Sequence, residues 1–431
     1  FQAEDGIRDA TGGLVGSEMC IRDRVWGLYQ FTFSVSAAPV GWLEGFFGWL
    51  GSGVDRLLPE GLFKSMILSG IIDGVGGVLG FVPLILFMFL GIAFLEDSGY
   101  LARVAFMLDR VFRFFGLHGA SVMAFIVSGG IAGGCAVPGI MASRTLKSPK
   151  ERLATLLTVP FMNCGAKLPV FALLVAAFFS AHQALMMFLI TIISWTGALL
   201  VARLLRSTVI GGPSTPFVME LPPYRWPTFR GLAIHTWERT WQYIRKAGTV
   251  ILAISVVLWA IMTFPQLPHE VSDSVNGQRA ALAAENTAAI DALEAEAALR
   301  HSLAGRLGIG LEGLSRWAGF DWRTNIALVG GFAAKEVIIS TLGTAYSLGE
   351  VDPEGSTALG DRLSGAPGWR PLTAFSLILF VMFYSPCFVS VVCIAREAGS
   401  WRWGALTVIF NPVFAFGGAV LVDQAGSLLG L

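Results

Sequence analysis

No stretch of the chain reads G-x-x-x-x-G-K-[ST], G-x-S-x-G or H-E-x-x-H, so the usual phosphate cradle, serine elbow and zinc-protease helix are missing. Charge is scarce as well. Asp, Glu, Lys and Arg make up 14% of the residues and cancel to a formal net charge of +0, which leaves no electrostatic footprint for nucleic acid. Histidine is rarer still, and His118, His182, His235 and His301 fall near the ends of apolar runs or in loops, so no histidine metal cage is expected. There is no C-x-x-C and no secreted-type cysteine spacing; the thiols read as reduced and not as a disulfide framework.

Apolar residues are what the chain has in abundance. A hydrophobic fraction of 54% and a mean hydropathy of +0.66 over 431 residues place it in the membrane class and not among multi-domain soluble proteins. Runs at 80–95, 153–179, 184–205, 247–264, 372–395 and 404–422 approach or reach the ~20 apolar residues that span a bilayer, the first being short. The 13 Trp and 32 Phe fit lipid-facing and interfacial surfaces.

Residues 1–24 are polar, patternless and resemble translated adapter sequence; they are set aside, and Cys20 with them. Residues 25–37 then read as the surviving end of a first membrane helix, with a link to 64, in an N-terminally truncated fragment. The remaining divisions are a first membrane module (65–205), a basic, Pro-rich cytoplasmic segment (206–246), a membrane helix (247–264), an outer Ala/Glu-rich loop (265–323) and a second module (324–431). Basic residues favour the cytoplasmic side, which places Arg144, Lys147, Lys150, Arg152 and the link 396–402 there together.

The halves echo each other. "SGGIAGGCAVPGIMASRTL" followed by "PFMNCGAKLP" pairs with "VGGFAAKEVIISTLGTAY" followed by "FYSPCFVSVVCIA": each joins a Gly-rich break to a Pro/Cys break. Inverted repeats with broken helices meeting near the midplane are a common transporter plan, so 120–142 and 325–348 are expected to be re-entrant from opposite sides. The fold expected is an all-α polytopic membrane bundle with two such repeats.

Backbone freed by Gly or Pro at membrane depth is tolerated only where it lines a cavity or packs in protein. Cys135, Cys164 and Cys387 all adjoin such breaks, and thiolates suit soft and borderline metals. The competing reading for any one of them is packing, since buried Cys behaves as a small hydrophobe. Cys393, nearly two turns beyond Cys387, is a second rung or, slightly favoured, packing. Charges inside membranes usually face a cavity or partner. Glu336 is expected to face the path and Lys335 to cap or pair elsewhere. Glu96 and Asp97 form an acidic vestibule or a solvated helix end, Asn163 offers an amide oxygen, and Lys167 snorkels to the interface.

The strings "FLEDSGYLARVAFMLDR", "GLHG", "CAVPGIMASRTL", "PFMNCGAKLPVF", "MELPPYRWPTFR", "TWERTWQYIRKAGTVI", "TNIALVGGFAAKEVIISTLG" and "YSPCFVSVVCIAREAGSW" together resemble the membrane part of the ferrous iron transporter B family. The resemblance covers nearly everything after Arg24. It implies a multi-pass Fe(II) importer of the bacterial inner membrane, with Fe(II) as transported substrate and no bound cofactor. The resemblance puts the family's GTPase domain, with its GTP and Mg, upstream of Val25, and makes that domain, membrane lipid, small cytoplasmic Feo accessory proteins and a second copy the partners. The family's gate cysteines map to Cys135, Cys164 and Cys387. Ala136 stands where the family has Asn, so one amide is lost there and Asn163 is a candidate to supply it.

Other readings remain at this level. Gate-type modules also carry nucleosides or other divalent metals; an intramembrane thiol enzyme built on Cys387 and Cys393 lacks a nearby His or Lys; a scaffold role for a truncated product is the last.

Overall fold

Glycine and proline cut the apolar runs into pieces, and the helices follow those cuts. The computed structural model describes residues 31, 34–59, 61–130, 134–146, 148–211, 226–265, 297–333, 335, 337–346, 357–366 and 368–429; they are helical apart from turns, breaks and one isolated bridge. A π-helical stretch, Met66–Ile72, leads into α1 (Asp73–Asp97), and Gly99 in the left-handed region turns the chain into α2 (Tyr100–Phe114). The two helices meet at 87°. After α3 (Ser121–Phe125) and a second π-helical stretch, Ile126–Gly130, come α4 (Ala136–Ala142), α5 (Pro149–Thr158), α6 (Leu168–Phe178) and α7 (Gln183–Thr208).

The long α8 (Phe229–Thr263) connects the halves. It is continuous, so the apolar run 247–264 forms the second part of a helix that begins at Phe229. The second half contains α9 (Leu303–Ser315), α10 (Trp322–Ala333), α11 (Val337–Ala345), α12 (Thr357–Gly365), α13 (Pro371–Phe383), α14 (Phe388–Glu397) and α15 (Trp401–Leu428). At ~1.5 Å per residue, α10 and α11 are each far too short to cross a ~30 Å hydrocarbon core, and they pack on one another.

Ser180–Thr208, Pro371–Glu397 and Trp401–Leu428 are long and apolar enough to cross a membrane; the bent pair of α1 and α2 makes up to four. The fold is all-α and of membrane type. One apolar run is divided at the Pro/Cys break read within it. The run 153–179 is not one helix: α5 ends at Thr158, 3-10 turns cover Val159–Phe161 and Gly165–Lys167, and α6 starts at Leu168. Pro160 and Pro169 withhold backbone donors and Gly165 weakens the helix between them. Of the outer Ala/Glu-rich loop, residues 265 and 297–323 are described, and 297–300 are helical.

One buried cluster runs through both halves, from Tyr100 and Phe125 through Phe161 and Leu174 to Leu377 and Ile394. An ion-pair clasp adds to it. The Glu397 carboxylate at the end of α14 takes two guanidinium groups from the first half, Arg144 bidentately and Arg152 at 2.6 Å. This hydrogen-bonded carboxylate raises the Arg144 pKa above its usual value. The two charged links assigned to one side by their basic residues are therefore in contact. Glu397→Gln is expected to cost about 1–3 kcal/mol, read as a lowered melting temperature in detergent. Because the arginines are partly exposed, salt should narrow the gap between wild type and variant. Equal melting temperatures would show that the arginines find other acceptors.

Candidate functional site

Two backbone approaches, both possible only for glycine, build the first half of the site. Gly129 has φ +125°, and a Cβ on it would stand 2.1 Å from the carbonyl oxygen of Asn163; a Cβ on Gly134 would stand 2.2 Å from the nitrogen of Gly129. The π-helical end of 126–130 and the break at 162–164 are thereby pressed together. Gly134 and Cys164 pair as a parallel bridge, the Gly165 N–H donates to the Gly134 carbonyl at 2.8 Å, and the Cys135 N–H donates to the Val127 carbonyl at 3.1 Å. Cys135 and Cys164, distant in sequence, become backbone neighbours.

Cys387 arrives from the second half. It ends the break 384–387, where Pro386 halts α13, and precedes α14, which packs against α4. Its Sγ lies 3.2 Å from the Ser390 hydroxyl. Cys135 is within electrostatic reach of Cys387, Cys164 and Cys393, and Cys387 of Cys164. None of these four described cysteines is in a disulfide; Cys393 is buried in α14, the others half-buried. Among the described residues, no three His, Cys, Asp or Glu side chains are arranged to hold an ion together. The thiols gather without closing into a cage.

Two buried lysines flank them. Lys167 does not snorkel: it is 2% exposed, and its ammonium donates to the carbonyls of Pro160 (3.2 Å), Met162 (3.2 Å) and Met382 (2.8 Å). The three acceptors lie at helix breaks, where carbonyls lack helical partners. Lys335 lies 3.9 Å from the centroid of the Tyr384 ring, and the Tyr384 hydroxyl donates to the Leu328 carbonyl at 3.0 Å. Both lysines lie near Cys387.

Asn163 is buried, and its Oδ1 has no hydrogen-bond partner among the described residues. Glu96 stands apart from the thiols: it pairs with Arg239 at 2.9 Å, and both line a cavity of about 330 Å³ that also touches Val127, Val137 and Val389. No thiol lines that cavity, though Val137 and Val389 lie two residues past Cys135 and Cys387, and the Val127 carbonyl accepts from the Cys135 N–H. Glu336 lies outside the described residues. Sequence reasoning missed the three carbonyls on Lys167 and the Glu397 clasp; the Met382 contact and the clasp join distant segments without local periodicity.

Two half-modules of broken helices, meeting at their breaks within an apolar bundle, define a gate-type membrane protein. The Gate family, described as nucleoside recognition, matches residues 78–178 and 244–401, the stretches that hold both sets of breaks. Between them, residues 187–239 match the C terminus of ferrous iron transport protein B. The chain is 37% identical over 417 residues to an Fe(2+) transport protein A/Fe(2+) transporter FeoB fusion protein of Porphyromonas gingivalis, covering 93% of this chain and 49% of that protein. It is 37% identical over 394 residues to the Fe(2+) transporter FeoB of Campylobacter jejuni (91% and 60%) and 33% over 407 residues to that of Methanocaldococcus jannaschii (94% and 56%). The chain belongs to the ferrous iron transporter B family. It spans about half to three fifths of the length of these relatives, and no solved structure matches it.

Proposed function

We propose that this chain is the membrane pathway of an Fe(II) importer of the bacterial cytoplasmic membrane, a transporter and not an enzyme. The observation that carries the reading is the convergence of Cys135, Cys164 and Cys387 on breaks contributed by both halves. Thiolates and an amide oxygen hold a borderline ion such as Fe(II) well, and the lack of a closed cage fits a site that must also release it. In this reading Fe(II) loses water, meets acidic residues such as Glu96 or Glu336, and touches the three thiols in turn, with Asn163 contributing oxygen. Regulation by a GTPase domain belongs to the same proposal, as does a small accessory protein; the relative named as a transport protein A fusion supports the latter.

The test is Fe(II) uptake into iron-starved cells lacking their own importer, with the chain joined to the amino-terminal half of a relative. Cys135→Ser, Cys164→Ser and Cys387→Ser at matched membrane abundance are each expected to lower uptake about 10-fold or more, the range seen when a metal site is disturbed. Unchanged uptake in all three would return these cysteines to packing. The Gate description favours a nucleoside as second substrate class; competition of uptake by added nucleosides reads that out in the same assay.

A further inference from the structure

Helix α2 leaves an apolar face uncovered. Phe106 and Phe114 are 56% and 69% exposed, and Met107 and Val111 are exposed beside them. At about 100° per residue these four share one face, with Arg110 between them. The opposite face is packed. Val104, Ala105 and Phe112 are buried, and the Phe112 ring meets Phe125 and Trp195 edge to face at 5.2 and 6.2 Å.

Both ends of α2 are tied to the basic side of the bundle. At its start, Gly99 follows the end of α1, where Glu96 pairs with Arg239, and Arg239 precedes the apolar part of α8, 247–264. At its end, the Arg203 guanidinium of α7 donates to the Phe114 carbonyl at 2.8 Å and covers the Phe114 ring at 4.8 Å. Gly116, φ +79°, then turns the chain against Arg206. Arg203 stands about 30 Å along α7 from Gln183, one hydrocarbon thickness from the far end of a membrane-crossing helix. The basic residues at both ends favour the cytoplasmic side. A helix held there at its two ends and bent 87° from α1 lies in the membrane plane.

A helix so placed sinks its apolar face about 5–10 Å into the boundary between headgroups and acyl chains, which brings Arg110 and Arg203 to the level of lipid phosphate. Asp109 is taken by Arg113 at 2.7 Å. Among the described residues, no carboxylate forms an ion pair with Arg110 or Arg203. Two exposed guanidinium groups without a counter-charge favour a lipid of net negative charge over a zwitterionic one.

We propose that α2 is an in-plane anchor that binds anionic phospholipid of the cytoplasmic leaflet, its apolar face among the acyl chains and Arg110 with Arg203 on the headgroup phosphate. Whatever the pathway carries, leaflet composition then bears on the first half, because α2 rests on Phe125, the residue before the π-helical stretch that holds Gly129.

The chain purified in detergent is titrated with phosphatidylglycerol and, separately, phosphatidylcholine, and bound lipid is counted by native mass spectrometry. Phosphatidylglycerol is expected to bind more tightly; Arg110→Gln and Arg203→Gln should each weaken it about 5-fold and leave phosphatidylcholine binding as it is. Equal affinity for the two lipids, or variants that bind phosphatidylglycerol as wild type does, overturns the headgroup site. Displacement of the lipid by inorganic phosphate would mark a free-anion site and overturn it too. If Arg203→Gln does not fold, Arg110→Gln decides, because Arg110 makes no bond that holds the helix. Placement is read by Phe106→benzoylphenylalanine, irradiated in vesicles of equal parts phosphatidylcholine and phosphatidylglycerol. Lipid adducts are expected; adducts with a second copy of the chain, or none with lipid, overturn the in-plane anchor.

Discussion

Replacing Lys167 by methionine is expected to destabilise the fold by about 1–3 kcal/mol, the range for leaving buried acceptors without their hydrogen bond. Methionine keeps much of the volume, so the loss isolates the ammonium. An ammonium has three donors, and here each has one carbonyl. Without it, the carbonyls of Pro160, Met162 and Met382 lose their bond to Nζ at a depth where no lipid atom can donate. The bond to Met382 also crosses from the first half to the second, at the end of α13. The measurement is the melting temperature in detergent, with Lys150→Met as control: the Lys150 ammonium is exposed and donates to the Gly211 carbonyl, and surface changes of that kind usually fall within about 0.5 kcal/mol. A Lys167→Met protein that melts with wild type would mean these carbonyls have other donors, and the cross-half role would fall.

Fold class was legible because run length and hydropathy suffice for it; the runs behind α7, α13 with α14, and α15 satisfy the ~20-residue requirement almost by themselves. The site was legible where local chemistry announces a break, as Gly134 and Pro138 do around Cys135 and Pro386 does before Cys387. The run 153–179 is apolar enough to span, and the Pro/Cys break legible within it at Pro160, Gly165 and Pro169 is where the helix divides. What could not be read were partners. Lys167 with Met382, Glu397 with Arg144, and Glu96 with Arg239 join residues far apart in the chain, and no periodicity encodes such pairings.

Gly129→Val is expected to disrupt the first half of the site outright. Valine would have to adopt φ +125°, a region that costs a β-branched residue about 1–3 kcal/mol in strain. Its Cβ would meet the Asn163 carbonyl oxygen at 2.1 Å, its carbon at 2.6 Å and the Cys164 nitrogen at 3.1 Å. All three are backbone atoms, so no rotamer change relieves the contact, and overpacking adds about 1–3 kcal/mol more. Relief requires the segments 126–130 and 162–164 to part, which breaks the bridge between Gly134 and Cys164 and separates Cys135 from Cys164. Two readouts should therefore move together: a lower melting temperature and, on adding Co(II), a weaker thiolate-to-cobalt charge-transfer band, even though every cysteine is intact. Gly310→Ala supplies the contrast, because α9 leaves open space around Gly310 and alanine in a helix gains about 0.5–1 kcal/mol over glycine. A Gly129→Val protein with a normal melting temperature and a full cobalt band would show that the thiols do not depend on this backbone approach, and that some other constraint holds Cys135 beside Cys164.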